Sequence, residues 1–435
     1  DATAYVIYPS GSTGVPKGVS VTYRGIHNFA TAEVARSGTD PSSRVLGFAS
    51  PSFDASILEW LLASVAGAAL VYRPDGVLGG DMLAAFITEQ HLTHVFLTPT
   101  VLSTLEPAAV PDLKVLMSGG EAVSQTLVDR WAGRLDFFNA YGPTEASVAV
   151  AMSRPLRAGR PVHIGGPIDG VGLMVLDDRL HAVPVGVAGD LYAGGVALAR
   201  GYLDRRGLTA ERFVADPYGA PGERMYRTGD VVRWSRDGSG ELVLEYVGRS
   251  DDQVKLRGLR IELGEIETVL ASHPDVSSAV VIGVGGSVAS ALAGYVVADP
   301  ATTGTVDVAA LRDFVAAHLP AHMVPAGIQV LDSLPLTPAG KLDKRALPDP
   351  QIDTDTADYV APTSSMEERL AQVVAGVLGV DRVSVTESFF ALGGDSITSI
   401  QLSSAARAAG LSLSPRDIFE HKTVRAMAQA AAEGG

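Results

Sequence analysis

The rhythm of hydrophobic and polar positions changes twice along this chain. Up to about Arg249, short β-rich runs at residues 4–8, 45–49, 93–97, 115–118 and 189–192 are interleaved with helical stretches such as 55–67 and 125–132. Strands alternating with helices predict a largely parallel α/β sheet, because parallel neighbours need a long crossover that a helix supplies. From Asp251 the elements form a smaller unit. A helical pattern over 263–272 leads to apolar strands at 278–283 and 292–297. A helix follows, N-capped by Asp307, with Leu311, Phe314, Val315 and Leu319 on its apolar face. This predicts a small separate α+β unit.

Residues 348–362 hold three prolines and four aspartates with almost no apolar periodicity, the composition of a linker. Everything after them reads as helix. Ser364 and Glu367 are placed to form a capping box ahead of Met366, Leu370, Val373, Val377 and Leu378, and Gly379 stops that helix. A helix after Ser396, another opened by Ser414 and Pro415, and a last one around 424–431 complete a small bundle.

Composition narrows the function classes. With 435 residues and 46% hydrophobic content, the chain is long enough for several cored domains. It has no cysteine, which removes disulfides, zinc–thiolate sites and cysteine nucleophiles together and makes a reducing cytoplasm the expected location. Asp and Glu outnumber Lys and Arg by 49 to 34, so neither a nucleic acid nor an anionic membrane is an expected partner. No apolar run approaches the roughly 20 residues that span a bilayer. Bound phosphates must therefore be held by local groups.

Two places in the sequence offer such chemistry. Residues 8–18, YPSGSTGVPKG, place Ser10, Gly11, Ser12, Thr13, Gly14 and Lys17 in a loop after a strand, suited to wrapping phosphate oxygens in N–H groups and hydroxyls. The spacing is not that of the ATPase loop, since Lys17 follows Pro16 and precedes Gly18. Ser396, in FFALGGDSITSIQL, has no histidine nearer downstream than His421 to act as its base. It therefore reads as a modified serine, and in a chain without cysteine any thiol must arrive on a prosthetic group.

The loop resembles the phosphate-binding signature of adenylate-forming enzymes, specifically the adenylation domains of nonribosomal peptide synthetases, and further signatures follow in order. FDASILEW (53–60) resembles the amino-acid-pocket motif, NAYGPTEASV (139–148) the adenine and magnesium motif, and GDLYAGGVALARGY (189–202) a structural motif. YRTGDVVRW (226–234) resembles the ribose motif, GRSDDQVKLRGLRIELGEIE (248–267) the hinge motif and LPLTPAGKLDKRAL (334–347) the catalytic-lysine motif. LGGDSI (392–397) resembles the phosphopantetheine site of a peptidyl carrier protein. The match covers essentially the whole chain. It implies an α/β adenylate-forming fold with a large mixed-sheet subdomain over 1–250, truncated at its N-terminus, and a small mobile α+β subdomain over 251–349. A linker at 350–363 and a four-helix-bundle carrier domain at 364–435 follow.

The same resemblance implies roles. Joining a carboxylate to ATP brings two anions together, so the charge on the phosphates must be offset. Glu145 is the implied Mg2+ ligand and Thr144 the α-phosphate contact. Tyr141 would stack on adenine and Asp230 would accept the ribose hydroxyls, with Gly119, Asn139, Gly142 and Arg249 completing the nucleotide site. Lys341 would bridge substrate carboxylate and phosphate. Asp251, with Asp252 as its rival, would be the hinge that withdraws Lys341 and brings Gly258 toward a pantetheine tunnel. Asp54, an isolated acid in an otherwise apolar helix start, would pair with a substrate ammonium. Ala55, Leu58, Phe96, Leu116, Ser118, Ala140, Val148 and Ala149 would line the side-chain pocket, whose apolar character implies a hydrophobic amino acid.

Ser396 would carry covalent 4′-phosphopantetheine placed by a phosphopantetheinyl transferase. Gly393 and Gly394 would give a tight backbone approach at a helix N-terminus. Neighbouring condensation or termination domains, and an MbtH-like protein docking near 198–202, are the other implied partners. Two departures stand out. Pro9 replaces the usual Thr, and the chain starts almost on the phosphate loop, which reads as a fragment. The alternative is therefore a catalytically silent carrier and docking fragment.

Overall fold

The computed structural model describes residues 2–9, 16–74, 76–251, 253–256, 259–285, 289–300, 302, 305–335, 342–350, 360–378, 380, 382–389, 392, 394, 396–411 and 413–433. The chain falls into two compact units, one comprising most residues up to Arg260 and the other the chain from Ile261 onward together with the stretch 76–83.

The first unit is built on a seven-stranded sheet. Its order is Ala69–Tyr72, Arg44–Gly47, His94–Leu97, Val115–Gly119, Asp136–Tyr141, Ala151–Met152, Gly166–Pro167. The first five strands are parallel, the last two antiparallel. Helix Ala55–Ala66 forms one of the crossovers, and Gly67 ends it in the left-handed region at φ 70°, which a residue without Cβ adopts cheaply. Its Leu58 and Leu62 join Phe29, Met117 and Phe138 in the core.

The parallel expectation fails for residues 189–192. They lie in a second, antiparallel sheet of Val171–Leu176, Ala188–Gly195, Arg224–Arg236 and Phe213–Ala215, with Leu242–Arg249 on the long strand. The reason lies in the turns. Asp177 accepts N–H bonds from Arg179 and His181, and Asp237 accepts them from Ser239 and Glu241. Side-chain-locked turns this tight join only antiparallel neighbours. A third piece, the hairpin of Thr3–Ile7 with Val19–Thr22, brackets the phosphate-loop sequence.

In the second unit, Val276–Gly285 and Ala289–Ala298 pair antiparallel and Gly327–Leu331 adds parallel. Asp307 caps helix Val308–His318 through the N–H groups of Ala309 and Ala310, and Leu311 and Val315 are buried, as the sequence predicts.

The carrier region has helices Ser365–Leu378, Ser396–Ala408, Pro415–His421 and Val424–Glu433 around Leu370, Val374, Leu402, Ile418 and Met427. Its first cap departs from the expectation. Ser364 accepts from the Glu367 N–H, but the Glu367 carboxylate reaches one residue further back, to the N–H and hydroxyl of Thr363, and also to Arg425. Ser414 and Asp417 form the complete capping box instead.

Candidate active site

The site grows from the ends of the first unit's strands. Tyr141 closes strand Asp136–Tyr141, and its hydroxyl donates to Asp230, which sits in the middle of the long strand Arg224–Arg236. The other oxygen of Asp230 accepts from Arg249 Nη1 at 2.6 Å. Arg249 in turn grips Asp251 with Nε at 2.7 Å and Nη2 at 2.9 Å, and Arg212 stands 3.6 Å from the same carboxylate. Burial works against the Arg249 charge, but Asp230 and Asp251 reverse this and hold its pKa above the ordinary arginine value. The ribose acceptor and the hinge residue named by the resemblance thus share one guanidinium. Asn139 is buried beside them, its amide donating to the His163 carbonyl.

A short 3₁₀ turn, Thr144–Ala146, follows that strand. A Cβ on Gly142 would lie 2.4 Å from Ala149 Cα, so the chain passes there only with glycine. Ser147 and Val148 then take left-handed φ values of 55° and 72°. For β-branched Val148 this is real strain, of the kind that collects where a site is held in shape.

Glu145 is wholly buried. Its Oε1 accepts from Tyr202 at 2.8 Å with Lys17 Nζ 3.7 Å away, and its Oε2 accepts from Arg260 Nη1 at 2.8 Å. Burial alone would raise its pKa, but Arg260, Lys17 and the Tyr202 hydroxyl keep the carboxyl ionised, well below the usual range. Lys17 is itself buried and its ammonium lies 5.4 Å from the Tyr202 ring centre.

Thr144 turns the other way and donates to Asp54 at 2.7 Å. Asp54 begins helix Ala55–Ala66 without capping it. Burial pushes Asp54 up to about 6, with the Thr144 hydroxyl holding it back and the charge of Glu145 adding to the rise. Among the described residues no cation pairs with it.

Leu58, Ala140, Val148 and Ala149 belong to one apolar cluster, with Phe96 packed against it. Leu116 and Ser118 do not join them. Side chains alternate along Val115–Gly119, and since Val115 and Met117 face that cluster, the intervening pair faces the opposite layer. There the Ser118 hydroxyl donates to the Leu97 carbonyl. Gly119 ends the strand and Ala55 opens the helix after Asp54. Ser10, Gly11, Ser12, Thr13, Gly14, Asp252, Gly258, Lys341 and Gly393 lie outside the described residues.

On the carrier, Ser396 is the first residue of its helix. A Cβ on Gly394 would lie 2.4 Å from two ring carbons of Phe389, which is itself buried.

Comparison with known proteins fits this layout. The AMP-binding enzyme family matches residues 1–203, the AMP-binding enzyme C-terminal domain 265–341 and the phosphopantetheine attachment site 368–431. The chain is 49% identical, over its whole length, to a probable non-canonical nonribosomal peptide synthetase of Salinispora arenicola, of which it spans 6%. It is 45% identical over 99% of its length to phosphinothricin tripeptide synthetase PhsC of Streptomyces viridochromogenes, of which it spans 39%. Novobiocin biosynthesis protein H of Streptomyces niveus is 44% identical over 98% of this chain, which spans 70% of that protein. The chain belongs to the nonribosomal peptide synthetase family. The solved structure of a holo synthetase protein with adenylation and PCP domains, bound to a vinylsulfonamide inhibitor, superposes with a TM-score of 0.79 at 28% identity. It covers 98% of this chain and 72% of that one.

As a synthetase adenylation domain joined to a carrier, the chain is homologous to amino-acid-activating ligases. Its AMP-binding domain implies ATP and Mg2+, and its attachment domain implies covalent phosphopantetheine. The residues fit these groups. Glu145 is an ionised, hard oxygen donor, the type magnesium prefers. When bound, that ion neutralises phosphate charge. The start of the Ser396 helix, with the glycine before it packed on Phe389, gives a phosphodiester the positive end of a helix. No helix among the described residues is long and apolar enough to cross a membrane.

Several members of the site escape the sequence reading. Arg260 and Tyr202 meet Glu145, and Gln253 and Tyr226 meet Arg260, from positions remote in the chain, and no local spacing brings them together. Glu59 had a visible signal: a second acid in an apolar helix. Buried, it accepts the N–H groups of Phe48 and Ala49, tying strand Arg44–Gly47 to the helix that presents Asp54. Burial pushes Glu59 up to about 8.

Proposed function

We propose that this chain activates a hydrophobic amino acid with ATP as aminoacyl-AMP and passes the acyl group to the thiol borne by its own carrier domain at Ser396. In the first step the substrate carboxylate attacks the α-phosphorus and the bond to pyrophosphate breaks. In the second, the thiol sulfur attacks the acyl carbon and AMP leaves.

The observation that carries the reading is Asp54. A largely buried carboxylate with a hydroxyl on one oxygen and, among the described residues, no cation paired with it is stabilised when an ammonium arrives. The apolar group formed by Leu58, Phe96, Ala140, Val148 and Ala149 supports a substrate with a hydrophobic side chain. Lys17 and Thr144 would meet phosphate oxygens and Asp230 would accept ribose hydroxyls; these roles, like those of Lys341 and the loop Ser10–Gly14, are assigned on resemblance. The domain bounds at 250, 349 and 363, the hinge role of Asp251, and the partners are proposed on the same ground. Those partners are a phosphopantetheinyl transferase, adjoining condensation or termination domains and an MbtH-like protein.

Exchange of labelled pyrophosphate into ATP, against a panel of amino acids, tests this. Exchange is expected with aliphatic or aromatic monomers and not with charged ones. Strong exchange with a charged monomer overturns the substrate class, and no exchange with any monomer favours the silent carrier fragment.

A further inference from the structure

Glu145 is met by side-chain donors on both carboxylate oxygens, and the cation on its Oε2 is a side chain. Arg260 donates there at 2.8 Å, while its Nε bonds Gln253 Oε1 at 2.6 Å and its Nη2 lies 3.4 Å from the Tyr226 hydroxyl. Oε1 is taken by Tyr202 and approached by Lys17. The Glu145 backbone is held as well, its carbonyl accepting from the Ala199 N–H at 2.9 Å. Magnesium needs a carboxylate oxygen at about 2.0–2.1 Å in near-ideal octahedral geometry. With protein donors on both oxygens, a metal ion approaching Oε2 meets the Arg260 guanidinium already held on that oxygen.

We propose that Arg260 occupies the metal's place on Glu145 and gives it up when magnesium–nucleotide binds, so that guanidinium and metal compete for one carboxylate. Three observations single out Arg260. Its side chain is 19% exposed, against 5% for Lys17. Tyr202 is fixed at its backbone by Thr209 and packed edge-on against Phe213, so it cannot withdraw alone. Arg260 also brings a full positive charge to the place where a second cation must come, and that repulsion is relieved only when it moves. In the metal-free state it spares Glu145 an under-compensated buried charge. In the metal-bound state it is released, and its bond to Gln253 with it. This rests on the ATP and magnesium reading above.

The test is calorimetric titration of the intact chain with ATP, in excess magnesium and in EDTA. Arg260→Gln removes the competing charge, so the magnesium concentration giving half-saturation at fixed ATP should fall roughly tenfold. Binding of ATP in EDTA should change less than about threefold, well under that tenfold step. Arg260→Lys should restore most of the wild-type magnesium requirement. Unchanged or weaker magnesium dependence in a folded Arg260→Gln protein overturns the exchange and points to a phosphate contact instead. A second measurement covers a variant that fails to fold. In the wild-type protein, amide exchange over 259–262 should speed up when magnesium is added to the ATP complex, and equal or slower exchange overturns the proposal. Wild-type protein that binds ATP under neither condition overturns both this inference and the adenylation reading.

Discussion

The nucleotide end of the first unit and the attachment point on the carrier are built to opposite specifications. Around Tyr141, Glu145, Asp230 and Asp251, carboxylates and guanidiniums are fixed on one another inside the protein before any substrate arrives. At Ser396 the chain supplies a helix start and a glycine pressed against Phe389, with no histidine nearer downstream than His421. A site that must stabilise charge developing in a reaction gains from dipoles and ions placed in advance. A site that only bears an arm needs a backbone shape that another protein recognises. Chemistry in the first region should therefore survive damage to the second.

The sharpest break of this comparison is Ser396→Ala. Incubated with a phosphopantetheinyl transferase and coenzyme A, the wild-type chain should gain one pantetheine arm by mass spectrometry and the variant none, while amino-acid-dependent pyrophosphate exchange stays at the wild-type rate. A variant whose exchange also collapses would show that the two regions are not separable.

On the other side of the comparison, Asp54→Asn should lower kcat/KM for the amino acid by roughly thirtyfold or more, since a desolvated charge pair loses about 2 kcal/mol or more when one partner goes. The KM for ATP should hold. The pH profile checks the cause. Burial raises Asp54 to about 6, so the carboxylate is ionised above that value and captures an ammonium there; amino-acid affinity should fall as pH drops through about 6. In the asparagine variant that inflection should be absent. An unchanged inflection would assign it to another group.

Gly394→Ala tests whether the carrier depends on backbone shape. The added methyl meets the Phe389 ring, which must shift, and such overpacking costs about 1–3 kcal/mol. Carrier modification should slow and the helices around Phe389 should lose protection in amide exchange, with pyrophosphate exchange untouched. Full modification at the wild-type rate would mean that the glycine is replaceable.

How much of this was legible depends on the range of the interaction. Asp307 with its helix and the helix opened by Ser414 and Pro415 are local signals, and the structure places each where the pattern suggests. The antiparallel second sheet is not legible in the pattern, because apolar runs report a strand but not its neighbour, and direction is decided by the Asp177 and Asp237 turns. The pocket was half legible for a related reason. A motif transfers positions, whereas strand geometry assigns faces, and period-two alternation sends Leu116 and Ser118 away from the layer that holds Phe96 and Ala140. Arg260 could not be found at all from spacing, since it meets Glu145 across 115 residues.

The smallest expected effect tests a place where the carrier does resemble the nucleotide end. Glu367 is held by the N–H and hydroxyl of Thr363 and by Arg425, which brings the first and last carrier helices together. The Thr363 N–H, then its hydroxyl, then Arg425 lower its pKa to about 2, below the ordinary glutamate value of about 4.3. A carboxylate depressed in the folded state contributes stability that is fully present above the unfolded value and is lost as pH falls through the folded one. The stability difference between the wild type and Glu367→Gln should therefore be widest near neutral pH and close progressively between about 4.3 and about 2. Amide exchange localised to helices Ser365–Leu378 and Val424–Glu433 in the intact chain reads this. A gap that stays constant across that window would mean Glu367 acts through its packing and neutral hydrogen bonds, and that fixed charge belongs to the adenylating end alone.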